Sequence, residues 1–372
     1  MGFIEAFLAL CFLVFFHELG HFCAAKLFGV RVEVFSIGFG QKILKKTFGN
    51  TEYALSLIPL GGYVKLKGQN DLDPRMRDDA PDSYTSKSAL AKIIILCAGA
   101  AFNFLLAFIL YLVVAFSGIK VLLPVIGTIQ QGSPAQNAQL LPGDEILQIN
   151  TIPIKSWEDL SQTISAYNLA KSDSNPESTQ SSLSQQPALH FHIKRGESIL
   201  IIPITPIMQT THNVFGETIQ KPMIGINAKG DVGIAHLSMK ETFVWALDEV
   251  IKSTKLIYQS VQKLVLGVIP IEQIGGVVGI VDVMANIAPS GFIAFLLLVA
   301  LISVNLGVIN LLPIPALDGG QILFVLYEAI MRKPLNERIM YGLSLLGWGI
   351  LLTLMALGIY NDIMRILARS TL

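Results

Sequence analysis

Residues 3–28 read FIEAFLALCFLVFFHELGHFCAAKLF, an apolar stretch long enough to cross a bilayer as a helix. Two histidines and a glutamate interrupt it in the pattern His17-Glu18-Leu19-Gly20-His21. Residues four apart share one face of a helix, so both imidazoles can bind one metal ion while the glutamate acts as a general base. The alternative is a pair of core histidines hydrogen-bonded to neighbouring helices. Because ionisable groups are costly within a bilayer, and a glutamate lies between the histidines, we favour the metal site.

The same apolar stretch could be a secretory signal peptide. Such a signal needs a positively charged start and a cleavage site of small residues. The chain starts MGFIE and has no Lys or Arg before Lys26. We therefore interpret residues 1–28 as a retained transmembrane helix.

The composition of the whole chain favours a membrane protein. Of 372 residues, 52% are hydrophobic and 15% are charged, against about 25% charged in soluble domains. The 27 basic and 27 acidic residues balance, so no basic field is available to hold nucleic acid, and the apolar fraction excludes a disordered chain. Further transmembrane helices are predicted at 91–118, 291–320 and 341–362.

The distribution of Lys and Arg predicts the orientation of these helices. Residues 26–92 hold eleven such residues, whereas the much longer segment 117–290 also holds eleven. Positive charge concentrates on cytoplasmic loops, so both termini and segment 117–290 are expected outside the cytoplasm. Arg365 and Arg369 in the C-terminal tail weigh against this orientation.

The regions outside the predicted helices differ in pattern. Residues 29–90 begin with strands and tight turns that form a soluble sheet or dip into the membrane. Residues 119–208 are typical of a small α/β module, with a flexible Ser/Gln-rich insertion at 171–187. Within 209–290, apolar positions at helical spacing predict an amphipathic helix on the membrane surface or on the module. The predicted fold is a polytopic α-helical membrane protein with a membrane-associated β-element and an extramembrane α/β module.

A catalytic zinc site usually has three protein ligands, so a third residue is needed beside His17 and His21. The candidate is Asp318 in NLGVINLLPIPALDGGQIL, which follows an apolar helix that Pro313 and Pro315 interrupt. The alternative role for Asp318 is the N-cap of a helix at 321–329. The remaining histidines are expected to be ordinary residues of the external region: His190, His192, His212 and His236.

With these residues in place, the chain resembles the site-2 protease family of intramembrane zinc metalloproteases, and within it the regulator-of-sigma-E protease branch. The matching segments follow the family's order: HELGH, SIGFG, LIPLGGYVKL, GSPAQNAQLLPGDEILQIN in a PDZ-like module, and NLLPIPALDGG. The resemblance implies a metalloendopeptidase with one zinc ion per chain. It implies His17, His21 and Asp318 as ligands and Glu18 as the catalytic base. Asn310 is implied to help hold the substrate or the developing oxyanion.

The resemblance also implies the substrates and the location. Substrates would be single-span membrane proteins, such as a pre-cleaved anti-sigma factor or remnant signal peptides, cut in regulated intramembrane proteolysis. The protein would lie among the lipids of a bacterial inner membrane, with the PDZ-like module on the periplasmic side. A membrane-reentrant β-element would hold the substrate as an extended strand. The implied substrate-binding residues are Tyr53, Gly61, Gly62, Tyr63, Val64, Pro313 and Pro315.

The sequence departs from the family at three places. It contains one PDZ-like module, where the best-known members of the branch have two. The second helix, CAGAAFNFLLA, keeps Gly99 and Asn103 but lacks the proline often found between them, and GGVVG at 275–279 lacks a usual proline. We expect these differences to affect substrate gating rather than catalysis.

Two other functions remain open. A metal transporter would need a path of ligands across the membrane, and no further ionisable residue is expected inside the second or fourth helix. A noncatalytic scaffold bearing a PDZ-like surface would be expected to have lost a ligand or the base. All four residues remain: His17, Glu18, His21 and Asp318.

Overall fold

The computed structural model describes residues 2–69, 78–167, 188–333 and 335–370, and it divides into two compact units. One unit comprises Met1–Ser117 with Ser238–Leu372, and the other comprises Gly118–Leu237. The helices are α1 (Gly2–Leu27), α2 (Ala89–Phe116), α3 (Pro134–Asn137), α4 (Trp157–Ala166), α5 (Met239–Val265), α6 (Val277–Ile287), α7 (Phe292–Asn310), α8 (Asp318–Met331) and α9 (Glu337–Ser370). The strands are β1 (Val32–Phe48), β2 (Thr51–Leu66), β3 (Ile119–Leu122), β4 (Ile126–Ile129), β5 (Glu145–Ile149), β6 (Ile152–Pro153), β7 (Leu189–Arg195), β8 (Ser198–Ile204), β9 (Ile207–His212), β10 (Thr218–Met223), β11 (Ile226–Ala228) and β12 (Val232–Ala235).

Four helices of the first unit, α1, α2, α7 and α9, are long and apolar enough to cross a membrane, as far as the described residues show. α1 lies very close to α2 at Gly20. A Cβ atom at this position would be only 2.3 Å from the Ala98 carbonyl oxygen, so glycine permits the close approach. Leu13, Leu106 and Ile302 are buried together where α1, α2 and α7 meet. These helices fit a membrane protein, and the close α1–α2 contact brings the HELGH motif against α2.

The range 291–320, predicted as one transmembrane helix, is not a single helix. α7 ends at Asn310, a turn follows, and Asp318 is the first residue of α8. Pro313 and Pro315 have no N–H to donate and disfavour helical backbone in the residues before them, which ends α7. A Cβ at Gly319 would lie 2.3 Å from the Leu311 carbonyl oxygen, so glycine allows the tight return into α8.

The fourth of these long apolar helices, α9, is longer than the predicted range 341–362, and it carries a buried carboxylate. Asp362 is 2% exposed and accepts hydrogen bonds from the backbone N–H groups of Gly276 (3.0 Å) and Gly279 (2.6 Å). It also pairs with Arg365 at 3.1 Å. The expectation that the fourth helix has no ionisable residue is therefore wrong, although Asp362 is engaged in capping α6.

β1 and β2 form a sheet along α1. Both strands bend, so that residues 34–37 pair with 62–65 on one side and with 52–55 on the other. Segment 61–66 is consequently an edge, since within the described chain it pairs only with β1. Phe35 packs against Phe15 and Phe22, which fixes the apolar face of the sheet on α1.

The second unit is larger than the predicted module at 119–208. β11 pairs with β4 and β12 pairs with β3, so strands from the region predicted as a connector belong to the module. Such pairings join residues about a hundred positions apart, and local sequence pattern does not reveal them. α4 covers a core that includes Ile146, Leu160 and Phe191. The predicted insertion at 171–187 lies outside the described residues.

An ion pair between Asp144 and Arg195 holds the loop before β5 in place in the second unit. The Asp144 side chain is 1% exposed, pairs with Arg195 at 2.7 Å and accepts a hydrogen bond from the Leu141 N–H. Burial alone would raise the pKa of the Asp144 carboxyl, but hydrogen bonds from Arg195 and Leu141 hold that pKa below its usual range. The carboxylate is therefore charged at neutral pH, and it joins the loop before β5 to the end of β7.

The predicted amphipathic helix is α5, and it packs within the first unit. A capping box between Ser238 and Glu241 starts it. Ala246 is fully buried among residues of α2 and α7, and Tyr111 of α2 lies 3.0 Å from Ser253, oxygen to oxygen. α5 thus belongs to the first unit, where it contacts α2 and α7.

Candidate metal centre

α1 places His17 and His21 one turn apart on the face that meets α2 and α8. Their Nε2 atoms are 3.2 Å apart. The side chains are 12% exposed, so both rings are largely shielded from solvent. Two imidazole nitrogens that converge in this way can share one metal ion.

Asp318 completes the cluster from the start of α8. Its Oδ2 atom lies 3.5 Å from His17 Nε2 and 3.4 Å from His21 Nε2. This oxygen is buried and accepts no hydrogen bond of normal geometry within the described part of the chain. The N-cap position of α8 is occupied by Leu317 rather than Asp318. The N-cap alternative for Asp318 is therefore wrong, and its carboxylate points at the histidines.

The spacing of these three atoms fits a tetrahedral zinc ion. Zinc binds nitrogen and oxygen ligands at about 2.0–2.1 Å, so neighbouring corners of the tetrahedron lie about 3.3–3.4 Å apart. The observed separations are 3.2, 3.4 and 3.5 Å. Among the described residues no other group of three His, Cys, Asp or Glu side chains could hold a metal. Three protein ligands leave the fourth corner for a reactant.

α2 closes one side of the cluster and orients the rings. A Cβ at Gly99 would lie 2.3 Å from His21 Nε2 and 2.6 Å from His17 Cε1, so only glycine fits there. His21 Nδ1 is 2.8 Å from the Ile95 carbonyl oxygen. An Nδ1–H that donates to this carbonyl leaves the Nε2 lone pair directed at the cluster.

Two amide side chains also reach His17. Asn310, at the end of α7, has its Nδ2 3.3 Å from His17 Nε2. Asn103 of α2 has its Nδ2 3.1 Å from His17 Nδ1 and is fully buried. Sequence reasoning assigned Asn103 no role. The available signal was an amide in an otherwise apolar stretch, four residues after Gly99.

Glu18 lies beside the edge of the sheet. A Cβ at Gly62 would be 3.0 Å from Glu18 Cγ and 2.9 Å from the Ser36 carbonyl oxygen. The general-base candidate and the edge segment 61–66 are thus in contact, and the contact depends on glycine at position 62.

The other predicted substrate-binding residues are spread around this point. Tyr63 stacks on Phe39, and a Cβ at Gly61 would overlap the same ring. Tyr53 contacts Phe22 and Phe35 on the apolar face of the sheet. Val64 packs on the cluster that contains Tyr84 and Ile95. Pro313 and Pro315 lie in the turn between α7 and α8, where the Pro315 carbonyl oxygen accepts a hydrogen bond from Gln321.

Residues 5–354 match the model of Peptidase family M50, a range that includes the histidines, the sheet and Asp318. The chain belongs to peptidase family M50. The predicted resemblance to the site-2 proteases is thereby confirmed.

Relatives of the same length agree with this M50 assignment. The chain is 40% identical over 365 residues to a protein of Campylobacter jejuni, covering 98% of this chain and 94% of that protein. It is 40% identical over 370 residues to a protein of Helicobacter pylori strain 26695, covering 98% and 100%. A Clostridium acetobutylicum protein is 31% identical over 360 residues, covering 97% and 96%. All three carry the name "putative zinc metalloprotease".

This M50 protein is a zinc-dependent metalloprotease. The prediction of an enzyme, and of zinc as its cofactor, is confirmed by the family and the relatives. The four apolar helices agree with a membrane protein. The cluster of His17, His21 and Asp318 is the place in the described structure that suits the ion.

Proposed function

We propose that this M50 metalloprotease cleaves peptide bonds inside the membrane-spanning segments of single-span proteins. The observation that carries this proposal is the position of the cluster within an apolar helix. His17 lies ten residues before the end of α1 at Leu27, about 15 Å along the helix axis. The hydrocarbon core of a bilayer is about 30 Å thick, so the cluster falls well inside it if α1 spans the membrane.

The residues of the cluster have distinct proposed roles. His17, His21 and Asp318 would hold the zinc ion. Zinc held there would supply a positive charge that polarises the scissile carbonyl and lowers the pKa of water to about 7. Glu18 takes the proton from the attacking water and delivers it to the nitrogen of the departing amine. The Asn310 side-chain N–H donates to the oxygen that becomes negatively charged.

We propose that the substrate binds as an extended strand on segment 61–66. A helical substrate hides its carbonyl groups in hydrogen bonds, so it must unwind before attack. An edge strand offers backbone N–H and C=O groups to replace those bonds. The contact between Gly62 and Glu18 puts that edge beside the proposed base.

Replacing Gly62 with Val is expected to lower cleavage by about 10- to 100-fold, because the added side chain displaces Glu18 and the bound strand. The zinc content should stay at the wild-type level. Gly342→Val is the matched control, since a Cβ there meets no atom within 4 Å. Equal cleavage by the two variants, measured on a single-span substrate in detergent, would contradict the proposed role of this edge.

The proposed function is tested by locating the cut. The purified protein is incubated in detergent micelles with a single-span substrate, and the products are identified by mass spectrometry. We expect a cut within the apolar span that a zinc chelator abolishes and added zinc restores. A cut only outside the span would refute intramembrane cleavage. Zinc flux in proteoliposomes without any cleavage would favour transport, and substrate binding without cleavage would favour a scaffold.

The distribution of Lys and Arg along the chain bears on the location and orientation of the protein in the membrane. We infer a bacterial inner membrane protein whose second unit lies on the periplasmic side, since Lys and Arg are sparse in 117–290. A cysteine placed at exposed Glu197, in a variant without the native cysteines, should react with a membrane-impermeant thiol reagent added from the periplasmic side. Labelling only after cell lysis would reverse the orientation.

We further propose that the second unit is a PDZ-like module that recruits a freshly exposed substrate C-terminus. A cavity of about 110 Å³ between α4 and residues 221–226 is lined by Trp157, Leu160 and Met223. Lys221 lies at its wall, with Nζ 3.2 Å from Ser161 Oγ. An apolar groove with one cation suits an apolar terminal residue and its carboxylate. Peptides with a free C-terminus should compete with the substrate, and the same peptides amidated should not.

A further inference from the structure

The two proposed histidine ligands have different contacts on the nitrogen that faces away from the cluster. A ring nitrogen that binds a metal offers its lone pair, so the other ring nitrogen carries the hydrogen. For both histidines Nε2 faces the cluster, and Nδ1 is therefore the protonated atom in the ligand form. His21 Nδ1 has an acceptor, the Ile95 carbonyl oxygen at 2.8 Å. His17 Nδ1 faces the side chain of Asn103.

Asn103 can serve as donor or acceptor depending on the rotation of its amide. In the structure its Nδ2 is 3.1 Å from His17 Nδ1, an arrangement that suits the tautomer with the proton on Nε2. A half-turn about the Cβ–Cγ bond exchanges the amide oxygen and nitrogen within nearly the same volume. The Asn103 Oδ1 atom is buried without a hydrogen-bond partner in the described part of the chain, so the turn breaks no bond of that oxygen.

We propose that Asn103 is a positioning residue whose Oδ1 accepts the Nδ1–H of His17, and so holds His17 in the tautomer that binds zinc through Nε2. The inference rests on the proposed ligand set. Orienting partners of this kind, when removed, typically lower metal affinity by about 10- to 100-fold.

The surroundings of Asn103 favour this role over a contact with substrate. Its side chain is 0% exposed, and its backbone oxygen accepts a hydrogen bond from Ser303 Oγ of α7 at 2.8 Å. The second amide, Asn310, lies nearest the Nε2 side of the same ring. Each amide thus lies nearest a different nitrogen of His17. Asn103 faces Nδ1, which points away from the proposed zinc site, and Asn310 faces Nε2, which points toward it.

The test measures zinc affinity by chelator competition and records the visible spectrum of the cobalt-substituted full-length protein. Asn103→Leu keeps the approximate volume and removes the acceptor, whereas Asn103→Asp keeps an acceptor oxygen. We expect zinc affinity to fall about 10- to 100-fold in the Leu variant, with a shifted cobalt spectrum, and to stay within about threefold of wild type in the Asp variant. Ser303→Ala, which removes only the contact on the Asn103 main chain, should leave both readouts unchanged.

Each other result counts against the proposal. Wild-type zinc affinity in Asn103→Leu would show that the amide does not orient His17. Equal losses in the Leu and Asp variants would show that Asn103 acts through packing alone. Neither readout requires cleavage, so a failure of the proposed intramembrane cleavage would appear separately, as a zinc-loaded wild-type protein that leaves its single-span substrate intact.

Discussion

Glu18→Gln is expected to lower cleavage of a single-span substrate by about 10²- to 10⁴-fold, while zinc content remains one ion per chain. The amide has nearly the same shape as the carboxylate but cannot accept a proton from water. The proposed zinc ligands should keep their arrangement, because the contacts between them are made by His17, His21 and Asp318 and not by Glu18. The measurement pairs initial rates of product formation with metal analysis of the same preparation.

The matched control is Glu5→Gln, a change of the same type in the exposed first turn of the same helix. It should cleave at the wild-type rate. If Glu18→Gln cleaves as fast as this control, Glu18 is not the base. If Glu18→Gln loses its zinc, the lost activity does not report on proton transfer.

Asp318→Ala is expected to weaken zinc binding by at least about 100-fold, more than the loss of a group that only orients a ligand. The substitution removes one of three converging atoms and leaves two imidazoles. In the zinc-free protein Asp318 Oδ2 lies 3.5 Å from His17 Nε2 and 3.4 Å from His21 Nε2, so the melting temperature of that form is measured as well, to separate a loss of zinc from a loss of folding. Isothermal titration and thermal unfolding in the presence of a chelator measure the two effects.

Glu337→Ala is the control for this second experiment, because Glu337 is an exposed acidic residue at the start of α9, as Asp318 is at the start of α8. Its zinc affinity should match that of the wild type. Retention of tight zinc binding by Asp318→Ala would remove Asp318 from the proposed ligand set.

How much of this site the sequence could reveal depends on the separation of its parts. His17, Glu18 and His21 form a local pattern on one turn of helix, so spacing alone predicts their shared face. Asp318 follows His21 by 297 positions, and only its place after two prolines, together with the family resemblance, pointed to it. The role proposed for Asn103 could not be predicted from the sequence, because it depends on which ring nitrogen of His17 the Asn103 side chain faces.

The same reasoning explains the errors in the fold. The four apolar helices could be predicted because each is a continuous apolar stretch of sequence. Their observed ends differ most from the predicted ends where prolines interrupt the helix or where it continues into a polar segment. The limits of the second unit were missed because β11 and β12 are only three and four residues long. Such strands are defined by partners near residues 119–129 rather than by their own pattern. Asp362 was missed because its partners, the backbone N–H groups of α6, become visible only when α6 and α9 are seen side by side.

The convergence of α1 and α8 on a single point also has a thermodynamic consequence. None of the described cysteines forms a disulfide, so no covalent cross-link joins distant parts of the described chain. An ion held by the proposed ligands His21 and Asp318 would close a loop of 297 residues and would serve as a reversible cross-link. Binding to the folded form alone adds stability that grows with free zinc, about 2.7 kcal/mol at a concentration 100 times the dissociation constant. The availability of zinc would then determine the stability of the folded helices as well as the activity of the enzyme.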